Sequence, residues 1–581
     1  VLFGVPGTSG AAATVLDGHP MAQRGEAARA LSAGYAASLL GGLVGALILA
    51  VSLPFLRPLI LHVGAPELVG LTALGLSSVS ALSGRAPLLG MAAAGFGLLA
   101  GLVGAGPNLG TLRWTFDTTY LWDGLPLVPA ALGLFAVPEL ASLAAKRGAI
   151  ATRATDGSTG RGVRQGIADV VRRPWLALRC SSIGALLGAV PGIGLSAVDW
   201  IAYGHAARTE REPERFGKGD VRGVIAAETA NNATTGGALI PTIAFGVPGS
   251  ASMALLLGAF LIHGLVPGPA MLTTNLDVTY AMIWTLVIAN ALGAAICLAS
   301  SAMLGRIASI RFSLLVPAAL ACVLVSSFQT NASWGDLWTL AGFAAVGLLM
   351  KRHGWPRPPL ILGFVLAPIL ERYLHISVQR YGADWLLEPS VIGLFAVSGW
   401  FLVPPLVRSL RRGSADPGAA SRATPGALAF AVAALVGAGT ALIVAATWPI
   451  GDGRVPMVIA SGTFLALAAW TAPRLVGLST RHAPGDAPSL AEDLHGVPRF
   501  ALVLGTLLGL VALLGLLPAI FVFVVGYMVH EGGERLRVAM TTAGLISISC
   551  WLVFDRWLAL PWPRSVLGDW LPALRTATGL V

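Results

Sequence analysis

The residues of this chain best suited to chemistry stand beside Pro-Gly turns. The heptapeptide FGVPGTS at Phe3–Ser9 is repeated as FGVPGSA at Phe245–Ala251, so Gly7, Thr8 and Ser9 in one copy correspond to Gly249, Ser250 and Ala251 in the other. Such a turn leaves backbone N–H groups unpaired at the start of a helix, where the helix dipole favours an anion, and the hydroxyls add donors. A third turn, Pro191-Gly192, interrupts the apolar run 181–203 and puts Asp199 just beyond it. Glu228, Asn231 and Asn232 fall on adjoining turns if their segment is helical. Carboxylate and carbonyl oxygens suit a cation such as Na⁺, and Asn N–H groups suit a substrate carboxylate. Two plainer roles stand beside these: Asn side chains also join transmembrane helices, and Asp199 also fits a cap or anchor at the membrane surface.

The elements that must position these groups are apolar. Of 581 residues 55% are hydrophobic and 11% charged, and the mean hydropathy is +0.76, which is membrane rather than soluble composition. Lipid offers no partners to unpaired backbone groups, so the Asn, Thr, Gly and Pro residues between Glu228 and Pro269 predict a segment opened inside protein or around a water-filled cavity. A Pro-kinked helix with small packing residues would read similarly. The second copy of the turn decides for paired broken segments, the sequence mark of a transporter's midplane site.

Apolar runs near the roughly twenty-residue membrane requirement lie at about 30–62, 66–84, 86–104, 122–145, 277–303, 312–328, 334–350, 358–370, 389–407, 426–447, 455–474, 500–530 and 538–554. Pro54 and Pro58 are expected to break the first of them, and Asp17–Pro20 to form a polar turn closing a broken or re-entrant helix from Gly4 to Gly18. The organisation read from this pattern is a first repeat over 1–145, a basic cytoplasmic loop over 146–179, a second repeat over 180–410, a linker over 411–425 and a small membrane domain over 426–581. The net charge of +10 sits in short loops, as positive-inside topology requires, and speaks against a nucleic-acid partner. Cys180, Cys297, Cys322 and Cys550 form no CxxC spacing, and His19, His263 and His353 stand apart, so neither a metal nor a catalytic residue is assigned. A GxxxxGK[ST] phosphate loop is missing, which disfavours a primary pump.

The motifs around Gly4–Gly25, Val190–Gly194, Pro213–Gly219, Glu228–Ala233, Gly246–Ser250, Leu261–Pro269 and Leu360–Glu371 together resemble the large membrane subunit of the tripartite tricarboxylate transporters. Residues from about 425 onward are similar to the small membrane subunit in span pattern and in the ending Phe554–Pro563, so the chain looks like a fusion of the two. The resemblance implies a multi-pass protein of the bacterial inner membrane, a secondary transporter that takes an organic carboxylate from a periplasmic solute-binding protein, driven by an ion gradient. It also implies that the Pro-Gly loops and the Asn pair contribute to the transport site. Two departures stand out. The family's stretch ahead of the first motif is missing, so the chain is expected to lack an N-terminal part, and Asp199 stands where a small or hydroxyl residue is usual.

The expected protein is therefore an all-α polytopic membrane protein with two structural repeats of broken or re-entrant helices and a small C-terminal helical domain. It uses no cofactor, and its coupling ion is Na⁺ or H⁺. Gly7, Thr8, Ser9, Pro191, Gly192, Asn231, Asn232, Gly249 and Ser250 are the expected substrate groups, and Asp199 and Glu228 the expected cation groups. Membrane lipids surround it, and homo-oligomeric assembly is compatible with the sequence. A channel or a membrane-embedded enzyme is the alternative.

Overall fold

The computed structural model describes residues 12–60, 64–77, 87–107, 109–145, 160–190, 195–248, 250–300, 312–415, 425–479, 497–557 and 562–570. Among these residues the architecture is all-helical apart from one two-stranded antiparallel ribbon, and six helices are long and apolar enough to cross a membrane. The chain divides into two compact units, each assembled from separated stretches: residues 1–97, 151–309 and 358–409 in one, residues 98–150, 310–357 and 410–581 in the other. This grouping follows contacts rather than chain order.

The first unit is built on α1 (Ala12–Gln23), α2 (Ala27–Ile60), α3 (Ala65–Ser77) and α4 (Pro87–Gly101, most of it in this unit). The part of the other unit that follows holds β1 (Gly104–Ala105), β2 (Leu112–Arg113), α5 (Leu127–Ala131), a π-turn and α6 (Val137–Ala145). The first unit then resumes with α7 (Gly160–Val171), α8 (Pro174–Gly188), α9 (Leu195–Thr209), α10 (Val221–Phe245), α11 (Ala251–Ile262) and α12 (Leu276–Ala299).

α10 lies between α2 and α8, and small residues let the backbones touch. A Cβ added at Gly45 of α2 would lie 2.7 Å from the Ala233 carbonyl oxygen, and one at Gly188 of α8 would lie 2.5 Å from that of Thr234. Added Cβ atoms at Gly41, Gly184, Gly236 and Gly237 would collide with facing backbone in the same way. With lipid as apolar as leucine, this close fit is what drives association. α8 and α9 pack side by side in opposite directions: Arg179 near the start of α8 pairs with Glu210 just past the end of α9 at 2.6 Å, and Cys180 Sγ lies 3.9 Å from the Ala202 carbonyl. Each has 15 residues, about 22 Å of helix against a hydrocarbon core of about 30 Å, too short to cross.

Several local expectations are corrected. α10 is unbroken from Val221 to Phe245, with Asn231, Asn232, Gly236, Gly237 and Pro241 inside it. Its threonine hydroxyls donate to carbonyls four residues back, Thr229 to Ile225 at 2.8 Å, Thr234 to Ala230 at 2.7 Å and Thr242 to Ala238 at 2.6 Å, so they close on their own helix instead of opening it. The break comes only at Gly246, which has φ +64° and lets its own N–H and that of Val247 reach the Thr242 and Pro241 carbonyls, a left-handed helix end. Pro54 and Pro58 lie within α2, and Asp17–Pro20 within α1; tertiary partners and neighbouring helices hold such positions in a membrane protein. The basic segment 146–179 is no bare loop over its described part. α7 packs along α2, held by Arg29 Nε to Asp169 Oδ2 at 2.6 Å.

The remaining helices are α13 (Phe312–Phe328), α14 (Trp334–Arg352), α15 (Pro358–Tyr381), α16 (Pro389–Ala415), α17 (Pro425–Ala445), α18 (Ile450–Ser479), α19 (Val497–Leu514), α20 (Leu516–His530), α21 (Leu536–Cys550) and α22 (Val566–Trp570). α15 and most of α16 belong to the first unit. In the second unit α19, α20 and α21 share one hydrophobic core with α6, α13 and α14, through Val137, Leu320, Leu340, Val511, Ile520 and Ala543. The apolar run over 500–530 breaks at Gly515, with φ +88°, three residues before the expected Pro518. Tyr120 donates from Oη to Asp336 at 2.9 Å; burial and then the Asp336 carboxylate push its phenol pKa up, against the lowering by Thr339, so it remains a donor.

Gly237→Val should destabilise the purified protein by about 1–3 kcal/mol, the usual cost of overpacking, read as a lower temperature of aggregation in detergent. Gly393→Val, at a position with open space around it, should leave that temperature unchanged.

Candidate functional site

Polar groups gather in the first unit where α1, α9 and α10 meet. α1 runs antiparallel to α10: Thr14 Oγ1 donates to Glu228 Oε1 at 2.8 Å, and three residues later Asp17 reaches the N-terminal end of α10. Asp17 is fully buried and accepts from Tyr203 Oη at 2.8 Å, Gly219 N at 2.8 Å and Asp220 N at 2.9 Å. Gly223 makes room for it, since an added Cβ would collide with Asp17 Oδ2. Three donors neutralise the cost of burying that carboxylate, and they fasten α1 to the turn that starts α10.

Asp199 on α9 is different. Its side chain is 0% exposed, and among the described residues neither carboxylate oxygen has a hydrogen-bond partner. Glu228, another carboxylate, stands on α10, which packs against α9 through Val198, Ala202, Val224 and Ala230. A buried carboxyl group met by no donor among the described residues presents its oxygens to a cation or holds a proton, because an isolated charge there is prohibitively costly.

The sequence-predicted residues fall into three sets. Gly7, Thr8, Ser9, Pro191, Gly192 and Gly249 lie outside the described residues. Asp199 and Glu228 stand on the neighbouring helices α9 and α10, and Asn231 follows on α10 one turn beyond Glu228, half-buried. Asn232 Nδ2 donates to the Ser38 carbonyl at 2.7 Å and to Asn290 Oδ1 at 2.6 Å, so its N–H groups join α10 to α2 and α12. Ser250 caps α11, accepting from Met253 N at 3.3 Å. It lies beyond the far end of α10, past Gly246, which is 18 residues from Glu228, or about 27 Å of helix.

Thr14, Asp17 and Tyr203 were missed. Asp17 had been placed in a turn, yet the argument applied to Asp199, an ionisable residue at membrane depth, would have found it. Thr14 carries no such signal, because its role depends on the fold bringing α1 against Glu228.

Six helices long and apolar enough to cross a membrane, with buried carboxylates among the helices packed beside them, are the parts of a multi-pass membrane protein. The chain belongs to the tripartite tricarboxylate transporter TctA family, whose model matches residues 1–362, and residues 423–563 match the tripartite tricarboxylate transporter TctB family; the chain is a TctA–TctB fusion. It is similar to an uncharacterized 52.8 kDa protein in the TAR-I ttuC' 3' region of Agrobacterium vitis, 30% identical over 425 residues, covering 71% of this chain and 82% of that protein. A second Agrobacterium vitis protein, in the TAR-II ttuC' 3' region, is 30% identical over 234 residues, 39% of this chain and 97% of that protein. No solved structure matches.

At the polar end of α10, burial would raise the pKa of Asp220, but the Arg222 guanidinium and backbone N–H hold it below the usual carboxylate range. Its contribution is therefore complete above the unfolded value of about 3.9 and lost as pH falls through the lower folded pKa. The melting temperature should drop on acidification below about pH 4, and by less in Asp220→Asn, which keeps the cap and loses the charge. An equal acid response in both would remove Asp220 from this role.

Proposed function

We propose that this protein is the membrane part of an ion-gradient-driven importer of an organic carboxylate, working in the bacterial inner membrane with a periplasmic solute-binding protein that delivers the substrate. The observation that carries the reading is Asp199, buried on α9 with no hydrogen-bond partner among the described residues and packed alongside the α10 that carries Glu228. In this reading Asp199 and Glu228 take the coupling ion, H⁺ or Na⁺. The Pro-Gly turns, with Gly7, Thr8, Ser9, Pro191, Gly192, Gly249 and Ser250, take the substrate's carboxylates on backbone amides and hydroxyls. Asn231 completes the anion contacts, and Asn232 positions α10 while sharing in them.

Co-binding follows from electrostatics. A carboxylate entering a low-dielectric passage alone pays a large desolvation cost, and a cation or proton bound with it cancels most of that charge. The gradient of the ion then sets the direction of net movement. Alternating access is a rocking of one repeat against the other about a fixed site. Family membership in both subunit types supports the transporter class; the coupling ion, delivery and substrate class are the proposal's own content.

The test is uptake of labelled tri- and dicarboxylates into proteoliposomes holding the purified chain, with its binding protein outside and an imposed Na⁺ or H⁺ gradient. Asp199→Asn should reduce gradient-driven accumulation at least about tenfold, equivalent to roughly 1.4 kcal/mol, while exchange down the substrate's own gradient persists. Asn231→Ala and Asn232→Ala should each lower the uptake rate. Accumulation undiminished in Asp199→Asn would remove the ion role, and a non-saturating flux indifferent to both gradients would replace the transporter with a channel.

A further inference from the structure

Asp452 stands in the first turn of α18, in the part that matches the small-subunit family, and Arg113 on β2, in the part that matches the large-subunit family. Both lie in the second unit. Each is 1% exposed, and Arg113 Nη2 lies 3.6 Å from Asp452 Oδ1. Leu109 N and Thr111 N each donate to Asp452 Oδ2 at 3.1 Å, and Gly106 leaves the space, since an added Cβ there would lie 2.7 Å from the carboxylate. Beside it Trp114 meets Trp448 edge-on, with ring centroids 4.6 Å apart. A carboxylate from one family's segment thus sits in a cup of two amides and a guanidinium from the other's.

The cup is built at a cost. Trp114, Phe116 and Asp117 adopt φ of 48°, 48° and 57°, left-handed values that non-glycine residues hold only when their surroundings impose them. A buried ion pair returns about what its desolvation takes, so its net yield is small, but removing one partner strands the other charge. Such a pair selects a partner and a register. The shared core of α13, α14 and α19–α21 supplies the apolar attraction, which by itself is indifferent to register.

We propose that the loop residues 104–107 and 109–118 form the socket by which the large-subunit part recognises and registers the small-subunit part, with Asp452 as the key, so that the two parts stay assembled when the chain between them is cut. The inference rests on the two family matches and on this geometry, and does not depend on the ion or substrate of transport.

A specific protease site placed within residues 416–424 of the full chain provides the test. After cleavage in detergent the two wild-type fragments should elute together. Asp452→Asn strands the buried guanidinium and Arg113→Met strands the carboxylate; uncut, both variants should elute as wild type, and after cleavage both should lose the C-terminal fragment. Combining Arg113→Met with Asp452→Asn leaves no stranded charge and keeps an acceptor for Leu109 N and Thr111 N, so it should restore co-elution. Three results would overturn the proposal: wild-type fragments that separate on cutting, cut single variants that stay together, or uncut single variants that no longer elute as wild type, which would make the pair a folding element instead of a joint.

Discussion

A bilayer supplies no hydrogen bonds, and every polar atom this chain carries to membrane depth must therefore be answered by another part of the chain or by something the chain binds. Asp17 is answered by a tyrosine and two amides, Glu228 by a threonine, and Asn232 by a carbonyl and a second Asn. Asp199 has no hydrogen-bond partner among the described residues. That contrast is what the proposed ion role of Asp199 rests on.

The two units meet the same constraint differently. In the first, glycines draw α2, α8 and α10 into backbone contact, leaving little room for side-chain rearrangement along α10 and fixing the level at which α9 presents Asp199. In the second, large aliphatic and aromatic side chains fill one core, and buried carboxylates gather several donors each: Asp336 collects Tyr120, Asn331 and Ser333, and Asp452 enters its cup. A carboxylate is buried in both settings, and the number of donors around it differs.

Much of this was legible in the sequence. The spans were visible as apolar runs, and the second copy of the Pro-Gly motif marked where a helix stops, with Gly246 ending α10; the first copy lies outside the described residues. Positions that depend on tertiary partners were less legible. Asp17–Pro20 reads locally as a turn, and becomes helix because Tyr203 and the turn before α10 hold Asp17 from outside. Asn231 to Pro241 reads as an interruption, and becomes continuous helix because threonine hydroxyls bond backward and small residues face neighbouring backbones. Asp452 carries no local signal of its own; its meaning comes from Arg113, more than three hundred positions earlier, which no local pattern connects to it.

The account turns on Asp199 requiring a cation or proton that the chain does not supply. The direct measurement is the melting temperature of the purified full chain, titrated with Na⁺ at fixed pH and with acid at fixed Na⁺, beside that of Asp199→Asn. Preferential binding to the folded state raises stability with ligand concentration, so one of the two titrations should raise the wild-type value and leave the variant flat. The same response in both proteins, or none in the wild type, would contradict the account.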